Sequence, residues 1–300
     1  MTDQTNLLKT GLGTGIRTYW EVTKPKIWYL LVFTAFMSAL IASNVHNVPV
    51  SPLTWALLIA SVTAGSAAAN TLTNYNDRDI DAKMERTRTR PIPSGRMAAE
   101  SALYYGLILA GISLVLSYMI NIYAFALMAF GLFDNIIVYS VWLKRRNISN
   151  IILGGFSGGA PALIGYVAVT TATIELGLVL AGLVFLWIPT HIWSLALHIR
   201  EDYARANVPM LPVVKSESVS IRVIAGTTLM MVLFSILPFF MNVFGMIYLV
   251  MASVLGAIII AMSISLLVKP TESKSWTLFK FSSPYLALLF IGMFVDAAVF

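Results

Sequence analysis

Apolar residues run through this chain in long blocks, not in the alternations of half-buried strands or the one-sided stripes of soluble helices. Nine such blocks can be marked, at roughly 27–44, 52–76, 99–119, 121–143, 150–170, 174–199, 223–241, 244–267 and 282–300. Each is long enough to cross about 30 Å of hydrocarbon as a helix. The pattern predicts an all-α polytopic membrane protein with nine transmembrane helices. The second and sixth blocks end in polar residues, and polarity at the end of a membrane helix needs a reason.

The connections between blocks alternate in charge. Val45–Ser51, the turn near Ile120–Asn121, Thr170–Thr173 and the turn near Asn242–Gly245 carry no Lys or Arg. All 20 basic residues fall in the N-terminal stretch and in the loops from Arg78, Lys144, Arg200 and Lys269 onward. By the positive-inside rule these face the cytoplasm, which puts the N-terminus inside and the C-terminus outside.

Composition narrows the class. Hydrophobic residues make up 58% and charged residues 11% of 300, against about 25% charged in soluble domains. The size suits one bundle, a single domain over 1–300, and the polar loops after the second and sixth blocks suggest pseudo-repeat halves of about 20–145 and 146–300. The absence of Cys excludes disulfides and thiolate metal sites. His46, His191 and His198 are too few for a histidine metal cage. The net charge of +6 follows the topology and is not a nucleic-acid footprint. The first 26 residues lack a signal peptide's apolar core and, with Asp3 and Glu21, do not read as a transit peptide. A prokaryotic plasma membrane is the simplest location.

The chemistry concentrates in Asn70–Arg96, NTLTNYNDRDIDAKMERTRTRPIPSGR. Asp77, Asp81 and Glu85 stand at i, i+4 and i+8. At about 100° and about 1.5 Å per residue they stack along one helical stripe, with Asn70 and Asn74 close to it. Arg78, Arg86, Arg88, Arg90 and Arg96 lie among or just beyond them. Carboxylates that gather hard divalent cations, beside arginines that grip phosphate oxygens, suit a Mg²⁺-bound diphosphate. The plainer reading is a solvated charged loop between two membrane helices. Against it stands the phasing on one face, continuous with the apolar run Leu53–Ala69.

Other stretches leave two readings open. Lys144, Arg145 and Arg146 are either topology signals or a second diphosphate grip. The glycines of GGFSGGAPALIGY suit close helix packing better than a ligand wall. Lys24 and Lys26 read as flank anchors, though they could reach a phosphate, and Asp296 reads as interfacial. In WIPTHIWSLALHIREDYARANVPMLPVV, His191, His198 and Asp202 fall at i, i+7 and i+11 on one predicted face, and Pro189 can kink the helix.

A metal–diphosphate clamp under a membrane bundle serves to ionise an allylic diphosphate and to keep the carbocation in an apolar chamber. At these residues the chain resembles the UbiA-type intramembrane prenyltransferases. NDRDIDAKMERTRTRPIPSGR and LKRRNISNIILGGFSGGAPALIGYVAVT carry the superfamily resemblance. WIPTHIWSLALHIREDYARANVPMLPVV is similar to the haem O synthase (protohaem IX farnesyltransferase) subfamily, where other members carry a second aspartate-rich motif. The superfamily's usual asparagine four residues before the first aspartate is Thr73 here.

The resemblance implies a bundle around a central cavity, with Mg²⁺ as cofactor. It implies Asp77 and Asp81, with Glu85 as a third candidate, as metal ligands. Asp77, Asp81, His191 and Asp202 become the catalytic candidates. Arg78, Arg86, Arg90, Lys144 and Arg145 become candidates for substrate binding, and the helical phasing alone adds Asn70, Asn74 and His198. The implied substrates are farnesyl diphosphate and haem b, and the implied product is haem O, handed on to haem A synthase or a terminal oxidase. Two alternatives stand beside this: a superfamily member acting on a quinone precursor or lipid alcohol, and a small membrane transporter.

Overall fold

The structure, a computed structural model, describes residues 15–299. Most of the stretch read above for leader peptides, Lys9 included, lies outside them. Among the described residues, nine helices are long and apolar enough to cross a membrane: α1 Pro25–His46, α2 Pro52–Asn76, α3 Ala99–Ile120, α4 Ile122–Leu143, α5 Asn150–Val167, α6 Glu175–His198, α7 Glu217–Phe240, α8 Met246–Val268 and α9 Glu272–Val299. No strand occurs among the described residues. The all-α, nine-span expectation holds.

Hydropathy misplaced two starts, because a helix can begin in water before it enters the bilayer. α7 starts at Glu217, where the Ser216 hydroxyl accepts the Val219 N–H as an N-cap. α9 starts at Glu272 and carries the polar turns 272–281 before its apolar run. Ser51 caps α2 in the same way, ahead of Pro52 at the first helical position.

The helices pack as two layers of core. One gathers α6–α9 with the C-terminal half of α1, around Leu180, Leu183, Tyr248, Tyr285 and Phe290. The other gathers α1, α2, α4 and α5 around Ala35, Leu58, Val62 and Ile164. α1 and α5 join them, and their close approach explains the glycine run. A Cβ on Gly165 would lie 2.0 Å from the Ala35 carbonyl oxygen, so packing requires glycine there. Outward-facing Leu107, Ile108 and Val115 on α3 are exposed, as a lipid-facing surface should be.

Buried carboxylates tie helix ends together. Asp296, read from sequence as interfacial, is fully buried. It accepts the N–H groups of Gly245 (2.6 Å) and Tyr248 (2.8 Å), capping α8 from α9. A carboxylate inside a bundle needs such donors, and the unpaired N–H groups of a helix start supply them. Asp134 in α4 does the same for the Ser157 N–H in α5 at 2.8 Å. From Asp134 to Leu143 α4 is a π-helix, and the Lys144 N–H closes it on the Tyr139 carbonyl.

Candidate active site

α2 stops at Asn76. Asp77 has φ −92° and ψ 6°, and a short helix Arg78–Lys83 follows before Met84 turns extended. The Asp77 carbonyl still accepts the Asp81 N–H at 2.8 Å, so these two aspartates keep their one-turn spacing. Both are buried, at 2% and 3% exposure. The expected third member of the stripe does not join them. Glu85 comes after the helix has ended, lies exposed and pairs with Arg88. The unbroken three-carboxylate stripe is therefore corrected to a pair.

Around the pair stand cations from three elements. Lys144, at the end of α4, forms an ion pair with Asp77 Oδ2. Arg90 donates to Asp81 Oδ2 at 2.7 Å and to Asn74 Oδ1 at 3.4 Å. The Asn74 amide in turn donates to the Val22 carbonyl at 2.7 Å, which ties the entry to α1 against α2. Asn76 donates to the Ser140 hydroxyl at 2.9 Å and fixes α4 beside it.

Lys24 is the third cation. It sits half-buried just before Pro25, with a left-handed backbone (φ 54°) rare for a residue with a side chain. Burial first, then the Arg90 charge, push its pKa well below the usual lysine value, against the pull of Asp81 and Asp77. Lys144 goes the other way. Burial opposes its charge, but the Tyr139 phenol and the Asp77 carboxylate outweigh it and hold its pKa up.

One atom of this cluster lacks a partner. Asp77 Oδ1 is buried and accepts no hydrogen bond. Leaving a charged oxygen unpaired is costly, so the site is complete only with something that donates to it. Among the described residues no three carboxylates or imidazoles converge as a ready metal cage. Two aspartates with a free oxygen fit the way Mg²⁺ is held, by one or two carboxylates plus substrate phosphates.

The remaining basic candidates lie outside the cluster. Arg78 folds over the Tyr75 ring and donates to the Tyr75 carbonyl. Arg145 forks onto Asp79 with both contacts at 2.7 Å. That hydrogen bond lowers the Asp79 pKa despite burial. Arg86 is exposed and contributes its backbone N–H to Asp202. Asn70 lies two turns before Asp77, donates to the Ser66 carbonyl, and lines a cavity of about 130 Å³ among α1, α2, α4 and α5.

The second block is built differently. α6 ends at His198, Ile199 breaks it (φ −112°, ψ 37°), and Arg200–Arg205 restarts as a short helix. Asp202 therefore leaves the face predicted for it. Its two oxygens accept the N–H groups of Glu85 and Arg86, both at 3.2 Å, and an ion pair with Arg205. Burial opposes its charge, but Arg205 and those two N–H groups hold its carboxyl below the usual range. His191 and His198 do share a face. His191 is stacked between Trp187 (4.2 Å) and Phe279 (4.4 Å), and His198 stacks on Trp276 at 4.8 Å. His191 Nδ1 meets the Ser282 hydroxyl at 2.7 Å.

The model of the UbiA prenyltransferase family matches residues 31–291. The chain belongs to the UbiA prenyltransferase family. It is 53% identical to "Protoheme IX farnesyltransferase 2" of Cenarchaeum symbiosum, over 95% of this chain and 96% of that one. It is 45% identical to "Protoheme IX farnesyltransferase" of Desulforudis audaxviator, over 98% and 92%. Among solved structures it resembles a digeranylgeranylglyceryl phosphate synthase (TM-score 0.79, 23% identity, 95% and 99% covered). It also resembles a UbiA homologue from Archaeoglobus fulgidus bound to GPP and Mg²⁺ (TM-score 0.64, 15% identity, 93% and 99% covered). At these identities the structures speak for the UbiA fold alone.

For a UbiA family member the surprise is Lys24. Sequence reading made it a flank anchor, because a lysine before a membrane helix is ordinary. The usable signal was its place before a proline, where the backbone is restricted and a turn is expected. Thr73 does not stand in for the amide of the usual pattern: its hydroxyl donates to the Asn70 carbonyl, and Asn74 and Asn76 make the cross-helix bonds.

Proposed function

We propose that this UbiA family protein transfers a farnesyl group from farnesyl diphosphate to a vinyl group of haem b, giving haem O and diphosphate. The names of the relatives above support the acceptor. The observation that carries the donor site is the buried, unpartnered Asp77 Oδ1 beside Asp81, ringed by Lys24, Arg90 and Lys144.

Asp77 and Asp81 would hold Mg²⁺, which supplies charge neutralisation to a diphosphate when bound. This chain's own cations do the rest. Arg90 and Lys144 stand where negative charge grows as the C1–O bond of the donor breaks. Lys24 adds a charge that a bound diphosphate would favour. The apolar walls keep water from the allylic cation until the vinyl carbon has bonded to C1. Water then adds to the cation left on the porphyrin substituent and loses a proton, which completes the hydroxyethylfarnesyl group. His191, packed between Trp187 and Phe279 and hydrogen-bonded to Ser282, would be the contact to the tetrapyrrole. His198 extends the same aromatic row. Asp202 acts at one remove, as a positioning residue that holds the Glu85–Arg86 backbone.

The site faces the cytoplasm of a prokaryotic cell, on the reading that all loops rich in Lys and Arg lie inside. The product would pass to haem A synthase or a terminal oxidase. The deciding experiment supplies the purified protein with labelled farnesyl diphosphate, Mg²⁺ and haem b. Labelled haem O is the expected product. Transfer to 4-hydroxybenzoate in place of haem would reassign the acceptor, and no turnover with any acceptor would favour a transporter.

A further inference from the structure

The reaction needs water in one place and must exclude it from another. The allylic cation of the donor has to stay dry until its C1 bonds to the vinyl carbon, whereas the cation then left on the porphyrin substituent has to meet one water. The hydrating water must therefore enter on the acceptor side, where His191 stands. At the end of the bundle where Asp202 braces the loop, a cavity of about 500 Å³ lies among the ends of α6 and α8 and the starts of α7 and α9. His198, Arg205, Glu217, Glu272 and Ser275 line it, and neither Asp77 nor Asp81 does. It is a polar space far larger than the about 30 Å³ that one water occupies.

Beside this cavity the bundle holds polar atoms with nothing to bond. Among the described residues eight buried side-chain atoms lack a hydrogen-bond partner, and four of them, Trp193 Nε1, Ser194 Oγ, His198 Nδ1 and Ser263 Oγ, lie in the last two turns of α6 and α8. A serine inside a membrane helix ordinarily donates to a carbonyl of its own helix. Fully buried Ser61, Ser113, Ser117 and Ser235 do so at 2.7–3.1 Å. Ser194, equally buried, does not. Buried hydroxyls and imidazoles without protein partners are where internal waters sit. His191, Ser194 and His198 stand at i, i+3 and i+7, which is one stripe of α6. α9 matches it in the opposite direction: Ser275 lines the cavity with His198, and Ser282, seven residues on, meets His191 Nδ1 at 2.7 Å. From His198 to His191 is about 10 Å at ~1.5 Å per residue, which the Ser194 hydroxyl and two or three waters spaced about 2.8 Å apart span.

We propose that the His191–Ser194–His198 stripe is a water path that leads from this cavity to the acceptor. The path rests on the acceptor reading of His191. The oxygen of the arriving water bonds to the cationic carbon, one of its O–H bonds breaks, and the proton leaves along the same chain of hydroxyl and water to the cavity. No oxidant or reductant takes part. A cation that meets no water loses a proton from the neighbouring carbon instead and gives an alkene, one water lighter than haem O. The ratio of the two products therefore reports on the path, separately from how fast the farnesyl group is transferred.

The test supplies the full-length protein with farnesyl diphosphate, Mg²⁺ and haem b and separates the products by mass. Ser194→Leu, which fills the path, should lower the ratio of haem O to the alkene at least about ten-fold, against the about 10²–10⁴-fold that positioned proton transfer contributes. Ser194→Thr, which keeps the hydroxyl, should keep the wild-type ratio. An active Ser194→Leu protein with an unmoved ratio overturns the proposal. If that variant is inactive, a high-resolution crystal structure of the wild-type protein decides. Ordered water on Ser194 Oγ and His198 Nδ1 is the expected result, and a dry Ser194 bonded to a backbone carbonyl overturns the path. Wild-type protein that makes no farnesylated haem would sink the acceptor reading itself, a different result from haem O made at an unmoved ratio.

Discussion

Two acidic blocks approach each other at one end of this bundle, and they use their carboxylates in opposite ways. Asp77 keeps one oxygen buried and unpartnered while a lysine holds the other. Asp202 has both oxygens bound, to two backbone N–H groups and an arginine. The first is under-satisfied, and a site that waits for a ligand looks like that. The second is saturated and braces the loop that follows the first. Two buried aspartates thus give a binding group in one place and a strut in the other. The difference lies in the donors nearby, not in the carboxylates.

The comparison breaks most sharply at Asp77 and Asp81. Replacing either by Ala should lower transfer by about 10²–10³-fold or more, while the protein still inserts and melts as a folded bundle; near-normal turnover in both would refute the clamp. Asp202→Ala should cost less, about 10–100-fold, and chiefly as weaker Mg²⁺ affinity, as loss of an orienting partner does. A Mg²⁺ titration separates the cases: excess metal should restore the Asp202 variant and leave the Asp77 variant inactive.

Lys24 offers a pH-dependent test. With its pKa depressed in the free protein, Lys24 gives up its proton at a lower pH than an exposed lysine, and a bound diphosphate draws it back to the charged form. Binding should therefore take up protons, and the uptake should vanish as pH falls below the depressed pKa, where Lys24 is charged already. Calorimetry in buffers of differing ionisation enthalpy reads this directly, and Lys24→Met should abolish it. The smallest effect belongs to Glu85. Its exposed pair with Arg88 is worth about 0.2–1 kcal/mol at most, so Glu85→Gln should leave the Mg²⁺ requirement within about two-fold. A ten-fold loss would bring Glu85 back to the metal.

The nine crossings were legible because a bilayer imposes one length and one polarity on every helix. The Asp77–Asp81 pair was legible because a four-residue spacing survives the break at Asp77. Glu85 misled because nothing in the residues announces that helix geometry ends at Met84. Asp202 misled for the same reason at Ile199, and because its partners are backbone N–H groups, which every residue but proline carries. Asp134 and Asp296 left a signal that was only half used: a carboxylate inside an apolar run must find donors. Those donors are helix starts distant in sequence, so only the packed bundle reveals them.

The π-helical stretch from Asp134 to Leu143 has a further consequence for how this protein tolerates change. Each such widened turn carries one residue more than an ordinary one, and that surplus decides where Lys144 points. A substitution that let one widened turn between Asn135 and Val141 relax to regular winding, with no residue removed, would rotate everything after it by about 100°. The helix would stay as greasy, span the bilayer as well and keep the same charges. Yet the ammonium group would swing away from Asp77, so the lesion would escape any inspection of hydropathy or net charge and register only as a phase error.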